Sequence, residues 1–371
     1  MAGRMRIATI IWKDAIGGAE RSLCDLAAAL DQSSFDMRFY YLSGVPGYFA
    51  KQIESFGFKT EFLNWKNGFD LIGRVRLIKK LKEFNPHVVH DHIIPPLTRP
   101  FIKFFIQRPV LATEHGSALQ RSFGIGEKWR KHIERFDFGS CDFIAANSLA
   151  SAEALRSVFH LSESKIKVVH LGIDLDQFIP DTDRQSNVEP LTIGFIGRII
   201  NAYKGVDYLP LVAKHLIDRY SFKFKMLIAG DGKDRKKVEK LCKDLEVNSH
   251  FVFLGWLEDV KSFLRKIDLL LVPSRLESLG LSALEALAMN IPVVAFGVQG
   301  LREILTDCPS GTLINPGDTN GMAEAIHYLR NNYVHIGSKG RDFVAEHFSN
   351  HKMARGYEAI YTNLSNRSKQ I

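Results

Sequence analysis

Short runs of β-branched and aliphatic residues, each followed by helical periodicity, recur along the whole 371-residue chain. In the first half the runs are MRIATIIW, MRFYYLS, TEFLN, HVVHDH, PVLATEH, FIAANS and IKVVHLG. In the second half they are LTIGFIG, KMLIAG, HFVFLG, DLLLVPS and IPVVAF. Several are apolar on both faces, as expected of parallel strands covered by helices on each side. Strands alternating with helices build βαβ units and open parallel sheets. The rhythm breaks once, at FIPDTDRQSNVEP from Phe178 to Pro190, which is polar, carries two prolines and lacks apolar periodicity. The chain is also too long for one ordinary core. The expectation is an α/β protein with two doubly wound, Rossmann-like domains, residues 1–178 and 190–350, facing a cleft. Residues 351–371 read as a helix that packs back on the first domain.

Hydrophobic residues make up 46% and charged residues 24%, which sets aside a disordered chain. No apolar run approaches the roughly 18 residues needed to span a bilayer. The N-terminal MAGRMRIATIIW reads as a first strand and not as an export signal. Cys24, Cys141, Cys242 and Cys308 show no paired spacing, which argues against a disulfide framework or a zinc site and fits a reducing cytoplasm. The net charge of +8 admits nucleic acid, anionic lipid or a phosphorylated substrate as partner.

Ligands of open parallel sheets bind beyond the carboxyl ends of the strands, so residues just after strands are the site candidates. After DLLLVPS, the stretch SRLESLGLSALEAL places Glu277 and Glu285 on either side of a turn at Gly280-Leu281. Unpaired amides at the helix start favour a phosphate, and Gly280 lets it approach the backbone. Glu285, a turn inside the helix, is placed to accept hydrogen bonds from ribose hydroxyls, and Glu277 from a second polar group. The bland alternative is a helix capped by Ser278 with two solvated glutamates. After LTIGFIG come Arg198 and Lys204, a pair suited to a diphosphate leaving group or to an ordinary surface. After KMLIAG, Gly230 opens AGDG, which admits a close backbone approach or a plain tight turn.

In the first half, Gly17 and Gly18 open a helix after strand one, a second candidate anion site. The G-x-G-x-x-G dinucleotide fingerprint is absent there. His90, Asp91 and His92 in VVHDH, and His115 in ATEHGS, lie at strand ends. No helical H-E-x-x-H accompanies them, so no metal site is expected. His115, before a glycine and after a buried strand, is open to a catalytic or substrate-orienting role or to simple packing.

In this setting the chain resembles the family-four retaining glycosyltransferases of the GT-B fold over nearly its whole length. The most specific match is the E-x7-E element, Glu277 to Glu285, within PSRLESLGLSALEALAMNIPVVAF. Supporting matches are GGAE from Gly17, TEHGS around His115, ANS at Asn147-Ser148, HLGIDLDQF from His170, FIGR with Lys204, and GVQGLREIL around Glu303. The resemblance implies a UDP- or GDP-sugar donor held mainly by the second domain. Arg198 and Lys204 then grip the diphosphate, Glu285 the ribose, Glu277 the donor sugar, and the backbone near Gly280 and Leu281 the phosphate oxygens. Gly18, beside Gly17, borders the donor phosphate, and His115 faces the reacting sugar. It also implies metal-independent transfer with retention, attack on the leaving-group face, and interdomain closure that excludes water. Asn290, in place of a glycine, the loosened Gly297–Gly300 turn, and Leu279, in place of an aromatic, depart from the pattern and bear on donor geometry.

The positive charge gathers in FDLIGRVRLIKKLKEF and RPFIKFFIQRP, within residues 70–108. Leu71, Val75, Ile78 and Leu81 form one stripe, with Arg74, Arg76, Lys79, Lys80 and Lys82 around it. Phe101, Phe104 and Phe105 follow among Arg99, Lys103 and Arg108. Such a stretch suits an anionic membrane surface at the inner face of the cytoplasmic membrane, or a core-packing helix with a solvated basic face. No nucleic-acid recognition motif accompanies the charge. The leading expectation is sugar transfer to a hydroxyl acceptor in cell-surface polysaccharide, lipopolysaccharide or glycolipid assembly. The alternatives are a non-catalytic nucleotide-sugar-binding partner protein and a nucleotide-sugar epimerase of the same fold.

Overall fold

The computed structural model describes residues 3–15, 17–122, 128–181, 190–337 and 339–368. Two compact units divide the chain: Met1–Asp174 with Asn350–Ile371, and Leu175–Ser349. The linker expected at Phe178–Pro190 lies mostly outside the described residues. Leu175 and Phe178 belong to the second unit, where their carbonyls accept hydrogen bonds from the Arg341 guanidinium.

The first unit is built on one parallel sheet of β1 (Met5–Ile11), β2 (Phe35–Tyr41), β3 (Lys59–Phe62), β4 (Val88–Asp91), β5 (Val110–Glu114), β6 (Phe143–Ala146) and β7 (Ile166–Val168). Its strand order is β3-β2-β1-β4-β5-β6-β7. β4 and β5 are buried at every residue, including the polar His90, Asp91, Thr113 and Glu114 toward their carboxyl ends. The order reverses between β1 and β4, so this unit's switch point lies between Trp12 and His92. The helix Asn350–Ser368 closes the unit, packing on the helix Gly18–Ala29 and on β4 with Tyr357 and Tyr361 fully buried.

The second unit carries β8 (Leu191–Ile196), β9 (Phe224–Ala229), β10 (Phe251–Gly255), β11 (Leu269–Val272), β12 (Val293–Phe296) and β13 (Gly311–Ile314). The order β10-β9-β8-β11-β12-β13 places its switch point between β8 and β11. β13, a half-buried edge strand paired in parallel to β12, adds a strand that the sequence pattern did not mark. GTLI is short, starts on glycine and runs into Asn-Pro-Gly, so its apolar signal is too brief to stand out.

The basic amphipathic helix differs from expectation. Leu71–Phe84 buries Gly73, Arg74, Leu77, Ile78, Leu81 and Phe84, while Leu71, Ile72 and Val75 are 63–72% exposed. The cause is Trp65. A methyl group on Gly73 would lie 2.6 Å from the indole, so the ring fills the space under the first turn and fixes the packing face there. Arg74 turns inward, donating to the carbonyls of Gly68 and Pro96 at 3.0 Å each. Arg99 is likewise buried, and Lys103 is paired with Asp142. Three of the cations assigned to a basic surface therefore serve the interior of the unit or an internal ion pair.

Candidate functional site

In the second unit, Arg198, Lys204, Gly230, Glu277, Gly280, Leu281 and Glu285 all follow the carboxyl ends of β8, β9 and β11, three neighbouring strands. The short helix Asn201–Lys204 follows β8. Its first amide donates to Asp234 Oδ2 at 3.0 Å. The loop after β11 is strapped to this turn by three bonds: Arg275 N to Tyr203 O (2.7 Å), Leu276 N to Tyr203 O (3.1 Å), and Arg275 Nη1 to Asn201 O (2.7 Å). Arg275 also forks onto Asp207 at 2.6 and 2.8 Å. These bonds bring Lys204 to Glu277, although 73 positions separate them, with Nζ 2.5 Å from Oε2. Both are mostly buried, at 24% and 12% exposure.

Two polar groups that the sequence reading did not single out join this pair. Ser274 Oγ donates to Glu277 Oε2 at 3.3 Å, and the Glu277 amide donates to Gln299 Oε1 at 3.4 Å. The amide of Gly300 donates to the Glu277 carbonyl at 3.1 Å. Gln299 and Gly300 lie in the loosened Gly297–Gly300 turn, so that departure reaches the site itself. Arg198 is exposed and makes no ion pair among the described residues. It stands beside Gly197, where a methyl group would lie 3.7 Å from Lys204 Cε.

The helix Leu281–Ala288 starts on Gly280 and not on Ser278. Gly280 has φ 109°, a left-handed conformation that glycine adopts without strain. The amides of Leu281 and Ser282 have no hydrogen-bond partner among the described residues, so the helix mouth presents free donors. Glu285, four residues further along, is 5% exposed. Gly230 also has positive φ (135°), and a methyl group there would lie 1.9 Å from the Gly197 carbonyl oxygen, so the two strand ends are in direct backbone contact. Asn290 has a local reason to differ from glycine. It takes the left-handed conformation itself (φ 56°), and its side chain accepts a hydrogen bond from the Arg341 amide at 3.1 Å.

In the first unit, Gly17 caps the helix Gly18–Ala29 after β1, and His115 follows β5. The Glu20 carboxylate folds back so that a methyl group on Gly17 would lie 2.6 Å from its Oε2. This end of the helix therefore already faces a negative charge. His115 Nε2 lies 3.0 Å from His92 Nδ1. The His92 ring packs 4.2 Å from that of His90, which bridges Tyr361 Oη and Thr113 Oγ1 at 2.7 Å each. Burial pushes His115 down to about 4, and burial followed by the charge of His115 pushes His90 down to about 3. All three rings are therefore neutral near pH 7, His92 for the same reasons. Among the described residues no group of three or more His, Cys, Asp or Glu is placed to hold a metal ion.

The architecture has clear counterparts among solved structures. Anabaena HepE, solved with UDP and glucose, superposes with a TM-score of 0.81 at 17% identity, covering 97% of this chain and 100% of that one. That likeness defines the GT-B class of fold. Family models match both units: "Glycosyltransferase Family 4" over residues 16–177 and "Glycosyl transferases group 1" over residues 190–332. The chain belongs to these family 4-like, group 1 glycosyltransferases. An uncharacterized glycosyltransferase of Methanocaldococcus jannaschii is 28% identical over 241 residues, 61% of this chain and 61% of its own length. The O-antigen biosynthesis glycosyltransferase WclY of Escherichia coli is 30% identical over 162 residues, 43% of this chain and 44% of its own length. The match thus spans less than two thirds of either relative.

Proposed function

We propose that the protein transfers a sugar from a nucleoside-diphosphate sugar, with UDP as the nucleotide, to a hydroxyl of a carbohydrate or lipid-linked acceptor in cell-surface polysaccharide assembly. The observation that carries this is the Lys204–Glu277 pair at the second unit's switch point, beside the exposed Arg198 and the free amides of Leu281 and Ser282. An ammonium has three donors, so Lys204 can hold Glu277 and a phosphate oxygen together. Arg198 and Lys204 neutralise the charge that grows on the diphosphate as its bond to the sugar breaks. Glu277 accepts from the sugar hydroxyls, Glu285 from the ribose, and the amides that follow Gly280 donate to the phosphates, with the strand end at Gly230 beside them. In the first unit, Gly17, Gly18 and His115 serve the reacting sugar and the acceptor.

In the reaction, the acceptor oxygen bonds the anomeric carbon on the face the diphosphate leaves, and the acceptor proton passes to the leaving phosphate oxygen. The configuration is retained. With two cations already in place for the leaving group, the step runs without a metal. The test is acceptor-dependent UDP release with the product linkage read by NMR. Retention, undiminished by EDTA, supports the reading. Inversion, a free epimerised nucleotide sugar, or tight nucleotide binding without transfer refutes it.

A second part of the reading concerns where this happens. Phe69, Leu71, Ile72 and Val75 are 63–76% exposed, with Lys79 and Lys82 also exposed on the same helix. No helix among the described residues is long and apolar enough to cross a membrane. We assign this face to peripheral contact with an anionic bilayer on its cytoplasmic side, with apolar burial providing most of the binding. Ile72→Glu combined with Val75→Glu should reduce flotation with anionic vesicles at least about tenfold while leaving secondary structure intact. Undiminished flotation would exclude this face.

A further inference from the structure

His92 is 2% exposed, and its Nε2 is a buried nitrogen with no hydrogen-bond partner among the described residues. Its other ring nitrogen, Nδ1, faces His115 Nε2 at 3.0 Å. One of these two atoms must carry the shared proton. If His115 Nε2 donated, the neutral His92 would carry its proton on Nε2, leaving a buried N–H with nothing to bond. If His92 Nδ1 donates, only a lone pair is left unmatched at Nε2. Buried orphan donors are the rarer and costlier case.

We infer that His92 is a positioning residue: it donates Nδ1–H to His115 Nε2 and thereby fixes His115 as the Nδ1–H tautomer. This deepens the proposed transferase reading and rests on it for its catalytic consequence. His115 Nδ1 has no partner among the described residues, so the tautomer leaves one free group, a hydrogen-bond donor. His115 then offers a sugar hydroxyl or leaving-group oxygen a proton to share and no lone pair to take one. A general-base role is closed to it, because its one basic nitrogen is occupied by His92. The lowered basicity of both rings agrees with this assignment.

The surroundings hold His92 in place. His90, whose ring is tilted against it at 4.2 Å, is locked at both nitrogens by Tyr361 and Thr113, and Thr113 Oγ1 also meets Tyr357 Oη at 3.0 Å. The helix Asn350–Ser368, which packs on β4, thus braces His90 through Tyr361 and Thr113 through Tyr357.

The experiment is a long-range ¹H–¹⁵N correlation spectrum of the full chain with labelled histidine, which distinguishes the two neutral tautomers directly. The expected wild-type result is a protonated Nδ1 and a lone-pair Nε2 at His115. A protonated Nε2 at His115 overturns the inference, whatever the enzyme's activity. Two variants extend the test. His92→Asn keeps an N–H donor near the position of Nδ1 and should preserve the tautomer. His92→Phe removes the donor and should release it. In the transfer assay, His92→Phe should lower kcat about tenfold or more with little change in KM, and His92→Asn should recover most of the loss. Equal kcat in wild type and a folded His92→Phe variant would overturn the positioning role. Absence of transfer in the wild type would remove the transferase reading while the tautomer result stood.

Discussion

Replacing Glu277 by glutamine is expected to lower kcat for sugar transfer by about a hundred- to a thousandfold, with a melting temperature close to that of wild type. The carboxylate has two tasks in the proposed chemistry. It accepts hydrogen bonds from donor hydroxyls, and it holds the Lys204 ammonium 2.5 Å away beside the leaving group. An amide keeps the size and part of the hydrogen bonding, and Ser274 Oγ can still donate to its oxygen. It loses the negative charge that fixes the ammonium, and that interaction matters most when charge shifts toward the diphosphate. Nucleotide binding should survive, because Lys204 released from its partner still attracts phosphate. Steady-state kinetics combined with UDP binding separates these effects. A fall in kcat with retained UDP affinity supports the assignment; unchanged kcat removes Glu277 from the site.

The largest expected effect on stability is at Arg99. Its guanidinium contacts Asp91 through Nε and Nη2 at 2.8–3.0 Å and Asp137 through Nη1 at 2.6 Å. It also packs 4.2 Å from the centre of the Phe138 ring. The three side chains are 7%, 0% and 2% exposed. One cation thus serves two buried carboxylates. Arg99→Met fills most of the volume but removes the direct ion pairs of both carboxylates, leaving Asp137 only the longer-range charge of Arg74. Breaking a buried pair in this way costs about 3–5 kcal/mol. Urea unfolding near pH 7 should show a loss of that size. A loss below about 1 kcal/mol would mean that solvent reaches the carboxylates and that the trio contributes little.

The parts of the fold that showed in the sequence are those where one physical signal dominates. β11 and β12 are covered on both faces and hold only apolar residues, so their composition alone announces them. The strand-end rule then leads to Arg198, Lys204, Glu277 and Gly280 without any contact being known. The helix Leu71–Phe84 misleads because its packing face is set by an absence: Gly73 has no side chain, and Trp65 occupies the space. No hydrophobic count marks such a position. Arg74 and Arg99 mislead for a related reason, since a buried arginine looks like a surface cation until its partners are known. The pairing of His90 with Tyr361 joins residues 271 positions apart and carries no local signature. Gln299 entered the site through a turn whose departure from the family pattern was visible, but whose contact with the Glu277 amide was not.

The central claim is that cationic side chains at the second unit's switch point hold a nucleoside diphosphate. Calorimetric titration of UDP into the wild-type protein and into Lys204→Ala and Arg198→Ala tests it most directly. Binding by the wild type, weakened about tenfold or more by each substitution, is the predicted result. Equal affinity in all three proteins would place the nucleotide elsewhere and contradict the account.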